Sequence, residues 1–319
     1  MQALFTQLTF ELQRFQVQKN AVETLFIGGG TPSTVAPELY KPLFELLKPY
    51  FAKDIEMSSE ANPNSATFEW LKGMYQLGIN RISFGTQSFD NKKLRLLNRA
   101  HNSDDAKNAV QNAKKAGFTN ISLDLIYATI NDTKELLKKD LETAFSLPIN
   151  HLSAYALTIE EGTPFATKPQ MSQESLALTS WLFQNIESHG FKQYEISNFG
   201  SYQSKHNLGY WQYKDYIGLG SGAVGKLDLK RFYPTSIIEK YIQNPLDIST
   251  EILSEEDKKI EQILLGFRSS VGVDESILNS QELQRAEILL KEAKLFKKDH
   301  VLYNVDYLLA DEIALFLSS

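Results

Sequence analysis

Residues Phe26 to Thr34, FIGGGTPST, set three consecutive glycines at the end of an apolar run and close them with Thr-Pro. Val22–Ile27 is a short β-rich run, so the glycines occupy the turn that leaves a strand. The loop is neither GxGxxG nor a Walker loop, because no Lys-Ser/Thr follows, and a phosphate cradle of those types is not supported. Two readings stay open. One is a tight turn needing positive φ, which one or two glycines would satisfy. The other is bare backbone offered to a flat or zwitterionic ligand, with Thr31 adding a hydroxyl.

Outward from this loop the same rhythm recurs. β-rich runs at Val22–Ile27, Ile55–Glu60, Arg81–Phe84, Ile121–Tyr127 and His151–Leu157 alternate with helical stretches at Pro37–Phe51, Ala66–Leu77, Asp104–Ala116 and Thr133–Phe145. This alternation predicts βαβ units and a parallel sheet, open or closed into a barrel. An amphipathic helix over Ala3–Phe15 precedes it, with Leu4, Leu8, Leu12 and Phe15 at helical spacing. The polar residues gather where strands end: Gly28–Ser33, Glu60–Asn64, Gly85–Phe89, Asp124 and Thr158–Thr163. Parallel α/β folds build their sites at those ends, so one site is expected. Glu60 reads equally as a ligand contact or as half of a structural salt bridge. Gln87 and Asp124 make the same kind of case.

Past Leu182 the pattern changes. Tyr194–Phe199 reads as a further strand, and Gly200–Gly225 as a glycine- and aromatic-rich loop. Tyr194, Phe199, Tyr202, Tyr210, Trp211, Tyr213 and Tyr216 surround His206 in the sequence. That histidine either bonds within a packed loop or reaches a metal at the centre of a large flat ligand. Ser254–Phe267 carries an N-cap serine and an amphipathic stripe, and a smaller, mostly helical domain is expected from 228 onward.

The 33 basic and 39 acidic residues give a net charge of -6 without a Lys/Arg block, so nucleic acid is not an expected partner. No apolar run is long enough to span a bilayer and the opening residues lack a secretory signal, so a soluble cytoplasmic protein is expected. The 319 residues contain no cysteine, which excludes disulfides, thiolate nucleophiles and cysteine-held metal within them.

The segments FIGGGTPS, SSEANPNS, RISFGTQSFDNKKLRLLNRAH, NISLDLIYA, HLSAYALTIEEGTPF, YEISNF and HNLGYW, in this order, resemble the radical SAM family of oxygen-independent coproporphyrinogen III oxidases. Within it they look most like the HemW branch of heme chaperones. The C-terminal LSEEDKKIEQILLGFRSSVGVD resembles that family's accessory helical domain. The resemblance implies an incomplete (β/α)6 barrel over residues 1–227 and a smaller α-rich domain over 228–319. It implies S-adenosylmethionine contacts at Gly29, Gly30, Thr31, Glu60, Gln87, Arg99 and Asp124. It also implies heme contacts at His206, Asn207 and Tyr210 in an HNxxY pattern, with His206 reaching the heme iron.

The implied function is a heme chaperone delivering heme to acceptor proteins, with any membrane contact made through those acceptors. The alternatives are a coproporphyrinogen III dehydrogenase working through a 5′-deoxyadenosyl radical, and a cluster-less binding module. Two departures stand out. The family's Gly-Leu-Pro after the fourth strand is replaced by Ala128-Thr129-Ile130, which would alter the ribose end of the cofactor site. The CxxxCxxC loop that holds the family's [4Fe–4S] cluster is not among these residues, and neither is the first barrel strand. Either the chain starts at an internal Met of a longer protein or it is a cluster-less relative, and the retained site residues favour the first.

Overall fold

Seven short strands assemble one sheet: β1 (Val22–Ile27), β2 (Phe51–Ala61), β3 (Arg81–Gln87), β4 (Asn120–Tyr127), β5 (His151–Ala156), β6 (Lys192–Gln193) and β7 (Asn198–Gly200). The computed structural model describes residues 1–159, 162 and 165–318. The sheet order is β1-β2-β3-β4-β5-β7-β6, and β2 to β5 run parallel. The incomplete barrel is therefore an open sheet.

Side chains alternate across these strands. Ile82, Phe84, Ile121, Leu123 and Leu152 are wholly buried. They alternate with Arg81, Ser83, Ser122, Asp124, His151 and Ser153, so the opposite face is polar along its length. Helices Phe68–Gln76, Ser103–Ala116 and Lys134–Phe145 contribute the buried Leu71, Met74, Ala106, Val110 and Leu141. Each begins where its sequence offers a cap: Thr67, Asn102 with Asp105 in a reciprocal capping box, and Thr133.

The structure differs from sequence expectation in three places. The Pro37–Phe51 stretch divides into 3-10 turns at Pro37–Leu39 and Lys48–Tyr50 around a helix at Lys41–Leu47. Pro49 has no N–H to continue the helical ladder, and β2 then starts at Phe51 rather than Ile55. Tyr194–Phe199 is not one strand: the chain reverses at Ile196 and Ser197, so β7 lies antiparallel to both β5 and β6. Tyr194 N–H donates to the Asn198 carbonyl at 3.1 Å and Ala154 N–H to the Ser197 carbonyl at 2.8 Å, which hold the reversal. The third difference, a helix at Lys205–Trp211 within the expected loop, is described with the candidate site.

Backbone packing divides the chain into two units. One comprises Thr24–Phe44 and Asp54–Gln203. The other joins Met1–Glu23, Glu45–Lys53 and Ser204–Ser319, so residues 204–227 group with 228–319. In the second unit the opening helix is Gln2–Arg14, and its Gln7 is fully buried. Gln7 donates to the Gly218 carbonyl at 3.1 Å, accepts from Gly220 N–H at 2.9 Å and accepts from the Tyr241 hydroxyl at 2.7 Å. Strands β8 (Gly225–Leu227), β9 (Lys230–Pro234) and β10 (Ile248–Ile252) form a small antiparallel sheet. Another joins β11 (Val273–Asp274), β12 (Leu295–Lys298) and β13 (Val301–Asn304). Helices Glu255–Phe267, Ser280–Lys291 and Ala310–Ser318 supply Phe267, Leu289 and Ile313 to a core with Leu302. Among the described residues no helix is long and apolar enough to cross a membrane.

Candidate functional site

The three glycines of the first loop are glycine for two different reasons. A Cβ on Gly28 would meet Phe26 Cε1 at 2.5 Å and Glu60 Oε2 at 3.2 Å. Gly29 and Gly30 instead hold φ of +74° and +55°, and a Cβ there would meet nothing within 4 Å. The turn thus needs two of the glycines for its backbone and presents that backbone to open space. Gly29 N–H donates to Glu60 Oε2 at 3.3 Å, which joins the loop to the end of β2.

Next to it, Asn62 donates to Thr31 Oγ1 at 3.4 Å and accepts from Arg99 Nη2 at 3.1 Å. Arg99 Nη2 also donates to the Gly85 carbonyl at 3.1 Å. A Cβ on Gly85 would lie 3.1 Å from Gln87 Nε2 and 3.2 Å from Arg99 Nη2, so Gly85 is the gap through which both side chains pass. Gln87 adopts φ +65°, rare outside glycine, just where the β3–β4 register slips between Phe84 and Gln87. The slip turns its side chain out of the strand's alternation.

Asp124 accepts from Ser83 Oγ at 3.2 Å, and its strand partner on β5 is Ser153. Burial pushes its carboxyl up, against the hydroxyls of Ser153 and Ser83 and the charges of Arg81 and Arg99. Glu60 is also pushed up, by burial and then by Asp124, against the Gly29 N–H and Arg81. Burial lowers Arg99, against Asp124. The structure therefore brings Gly29, Gly30, Thr31, Glu60, Gln87, Arg99 and Asp124 to one end of one sheet. Of the Thr158–Thr163 loop expected there, residues 160, 161 and 163 lie outside the described residues.

Several residues that sequence alone did not single out support this end of the sheet. Lys93 Nζ and Asp132 Oδ1 make an ion pair at 2.7 Å with each side chain 1% exposed, and Asp132 also accepts from Thr129 N–H at 2.9 Å. Asp140 accepts from Ser88 Oγ at 2.7 Å and Phe89 N–H at 2.6 Å. These buried carboxylates pin the loops that follow β3 and β4. Ala128 in the second loop has φ +61°, so the alanine in place of the family's glycine sits in a backbone state that glycine suits.

Deeper along the polar face, His151 Nδ1 meets Ser122 Oγ and its Nε2 meets the Tyr194 hydroxyl, both at 2.7 Å. Burial, then Arg81, hold this histidine well below its usual range, so it is neutral. His101 is likewise structural, with Nε2 2.9 Å from the Thr86 carbonyl. Glu195, at the reversal before β7, is 1% exposed and pushed by burial to about 7. Its carboxylate accepts from Ser197 N–H at 3.2 Å.

His206 lies on a helix, Lys205–Trp211, where the sequence had suggested a loop. Ser204 caps it by accepting from Asn207 N–H at 3.3 Å. The ring of Tyr210 stands edge-on to His206 with centroids 4.9 Å apart, and Tyr216 stands edge-on to Tyr210 at 4.7 Å. Tyr213 donates to Glu261 at 2.6 Å, and Lys226 Nζ lies 4.0 Å over its ring. Three further aromatics of the run have duties in the sheet-bearing unit: Tyr194 bonds His151, Phe199 packs edge-on to Phe183 at 5.0 Å, and Tyr202 donates to Glu56 at 2.6 Å.

Residues 7–144 match the radical SAM superfamily. The heme chaperone HemW of Lactococcus lactis subsp. lactis is 32% identical over 285 residues, covering 85% of this chain and 75% of that protein. The heme chaperone HemW of Haemophilus influenzae is 37% identical over 279 residues, covering 83% of this chain and 73% of that protein. Coproporphyrinogen III oxidase (HemN) from Escherichia coli shares the fold at a TM-score of 0.80 and 19% identity, covering 100% of this chain and 82% of its own.

Proposed function

We propose, for a chain that belongs to the HemW heme-chaperone family of radical SAM proteins, that it binds heme and hands it to acceptor proteins in the cytoplasm. The observation that carries this reading is the breadth of the likeness to those chaperones, which spans more than four fifths of this chain. His206 supplies the heme contact through an imidazole nitrogen, with Asn207 and Tyr210 from the same helix turn beside it. The Tyr210 ring stands edge-on to the imidazole. The relatives do not favour a decarboxylating oxidase.

Gly29, Gly30, Thr31, Glu60, Gln87, Arg99 and Asp124 form the S-adenosylmethionine site in this reading. Their chemistry fits that group. Open backbone at Gly29 and Gly30 accepts a chain lying flat against it, Glu60 and Asp124 suit an ammonium or a ribose hydroxyl, and Arg99 suits a carboxylate. The residues present do not fit a [4Fe–4S] cluster. The 319 residues contain no cysteine, and among the described residues no three His, Asp or Glu side chains are grouped to hold a metal.

Heme titration followed at the Soret band tests the reading. The wild-type chain is expected to saturate, and His206→Ala to bind at least tenfold more weakly with a shifted band. An identical band and affinity in the variant would remove His206 as the contact. Absence of binding by the wild-type chain would remove the chaperone reading.

A further inference from the structure

Arg81 is the first residue of β3 and points to the polar face of the sheet, two residues before Ser83. It is 3% exposed, and its Nε has no hydrogen-bond partner among the described residues. The Ser58 hydroxyl, on the residue paired with Arg81 across β2 and β3, is fully buried and also without a partner. A guanidinium hidden this way is expensive unless its charge is used by something nearby.

What lies nearby is the acidic end of the site. Ser83 pairs across the strands with Glu60 on one side and donates to Asp124 on the other. Arg81 lies on the same face two residues before Ser83, opposite Ser58 on β2 and Asn120 on β4. Its field opposes the rise of both. The other groups that face this position are few. Arg99, Ser83 and Ser153 face Asp124, and the Gly29 N–H faces Glu60. Tyr155 faces Asp124 and Glu195. His151 and Tyr202 face Arg81 itself, His151 being neutral and Tyr202 bonded to Glu56. Arg81 is the cation that Glu60 and Asp124 share.

We propose that Arg81 is a positioning residue of the site, a fixed buried cation beside Glu60 and Asp124 that favours their charged forms and so keeps the site receptive to a cationic ligand. The ligand part of this rests on the S-adenosylmethionine reading above, whose sulfonium and ammonium supply the cationic chemistry. The electrostatic part concerns this chain alone.

The test is a titration of carboxyl carbons by NMR on the whole chain without ligand, comparing wild type with Arg81→Met. The Glu60 and Asp124 midpoints are expected to rise by about one pH unit, because removing an opposite charge disfavours the ionised form. Midpoints that stay in place would overturn the proposal. If Arg81→Met does not fold, the comparison is made between Asp124→Asn and Arg81→Met/Asp124→Asn, which removes the cation together with a charge it balances. Glu60 should then titrate higher in the double variant, and equal midpoints would overturn the proposal. Equilibrium dialysis with S-adenosylmethionine across the same pH range separates the two readings. Binding should fail at a higher pH in Arg81→Met than in wild type, and a shared binding midpoint would again count against Arg81. Absence of binding by wild type at every pH would defeat the ligand assignment, while the NMR midpoints still decide the role of Arg81.

Discussion

Replacing Glu195 by Gln should make the chain more stable at alkaline pH and leave it nearly unchanged in acid. In the fold Glu195 is 1% exposed and burial lifts its carboxyl from an ordinary 4.5 to about 7. Between those values the folded chain holds a proton that the unfolded chain has released. Stability therefore falls as pH rises through this window, is unpenalised below about 4.5 and carries the full penalty above about 7. Each pH unit is worth about 1.4 kcal/mol, so the full penalty is about 3 kcal/mol. Gln keeps an amide oxygen to accept the Ser197 N–H and has no charge to desolvate. Urea unfolding of both proteins at pH 5 and pH 8 isolates the effect, because other titrations cancel in the difference. The variant should gain about 2.5 kcal/mol on wild type between the two pH values, because a small part of the penalty is already present at pH 5. A difference that does not change with pH would show that Glu195 is not held neutral, and would refute the argument from burial.

Lys93→Met should destabilise the chain by about 3–5 kcal/mol in urea unfolding, because it leaves Asp132 charged and buried; Lys93→Met/Asp132→Asn should cost less than that single change. Ala128→Gly should raise stability by about 0.5–1 kcal/mol, read as a higher melting temperature, since it relieves about 1–2 kcal/mol of left-handed strain and gives part of that back as unfolded-state freedom. Gly28→Ala should weaken S-adenosylmethionine binding in equilibrium dialysis by about tenfold or more, a displacement worth about 1.4 kcal/mol, because its Cβ would push on Phe26 and Glu60. Gly29→Ala meets no neighbour and should instead lower the melting temperature, through about 1–2 kcal/mol of backbone strain.

The sheet and the site were legible for the same reason. Strand ends in a parallel α/β fold are where polar residues cannot be core, so Glu60, Gln87 and Asp124 stand out from apolar runs in the bare sequence. The helix that carries His206 was not legible. It has seven residues, includes Gly209 and several aromatics, and relies on Ser204 as cap, so no periodicity has room to develop. The reversal at Ile196 and Ser197 lacks the Asn-Gly or Asp-Gly signature of a tight hairpin and is held instead by bonds to β5. Arg81 and the Lys93–Asp132 pair were hidden for another reason. Their partners are neighbours only across strands and loops, and spacing along one chain cannot reveal that. The glycine loop was legible as a turn, and the structure adds that Gly29 and Gly30 carry the positive φ while Gly28 is confined by Phe26 and Glu60.

Gln7 makes its three hydrogen bonds to residues 211 to 234 positions further along the chain. During synthesis the ribosome delivers that helix more than 200 residues before its partners. By the time Tyr241 emerges, all of Thr24–Phe44 and Asp54–Gln203 is already available to fold. Until then Leu8, Leu12 and a polar side chain destined for full burial stand exposed, in the interval when a nascent chain is most open to trapping by other proteins or by its own neighbours. This helix is made well before the residues that give its buried glutamine a place.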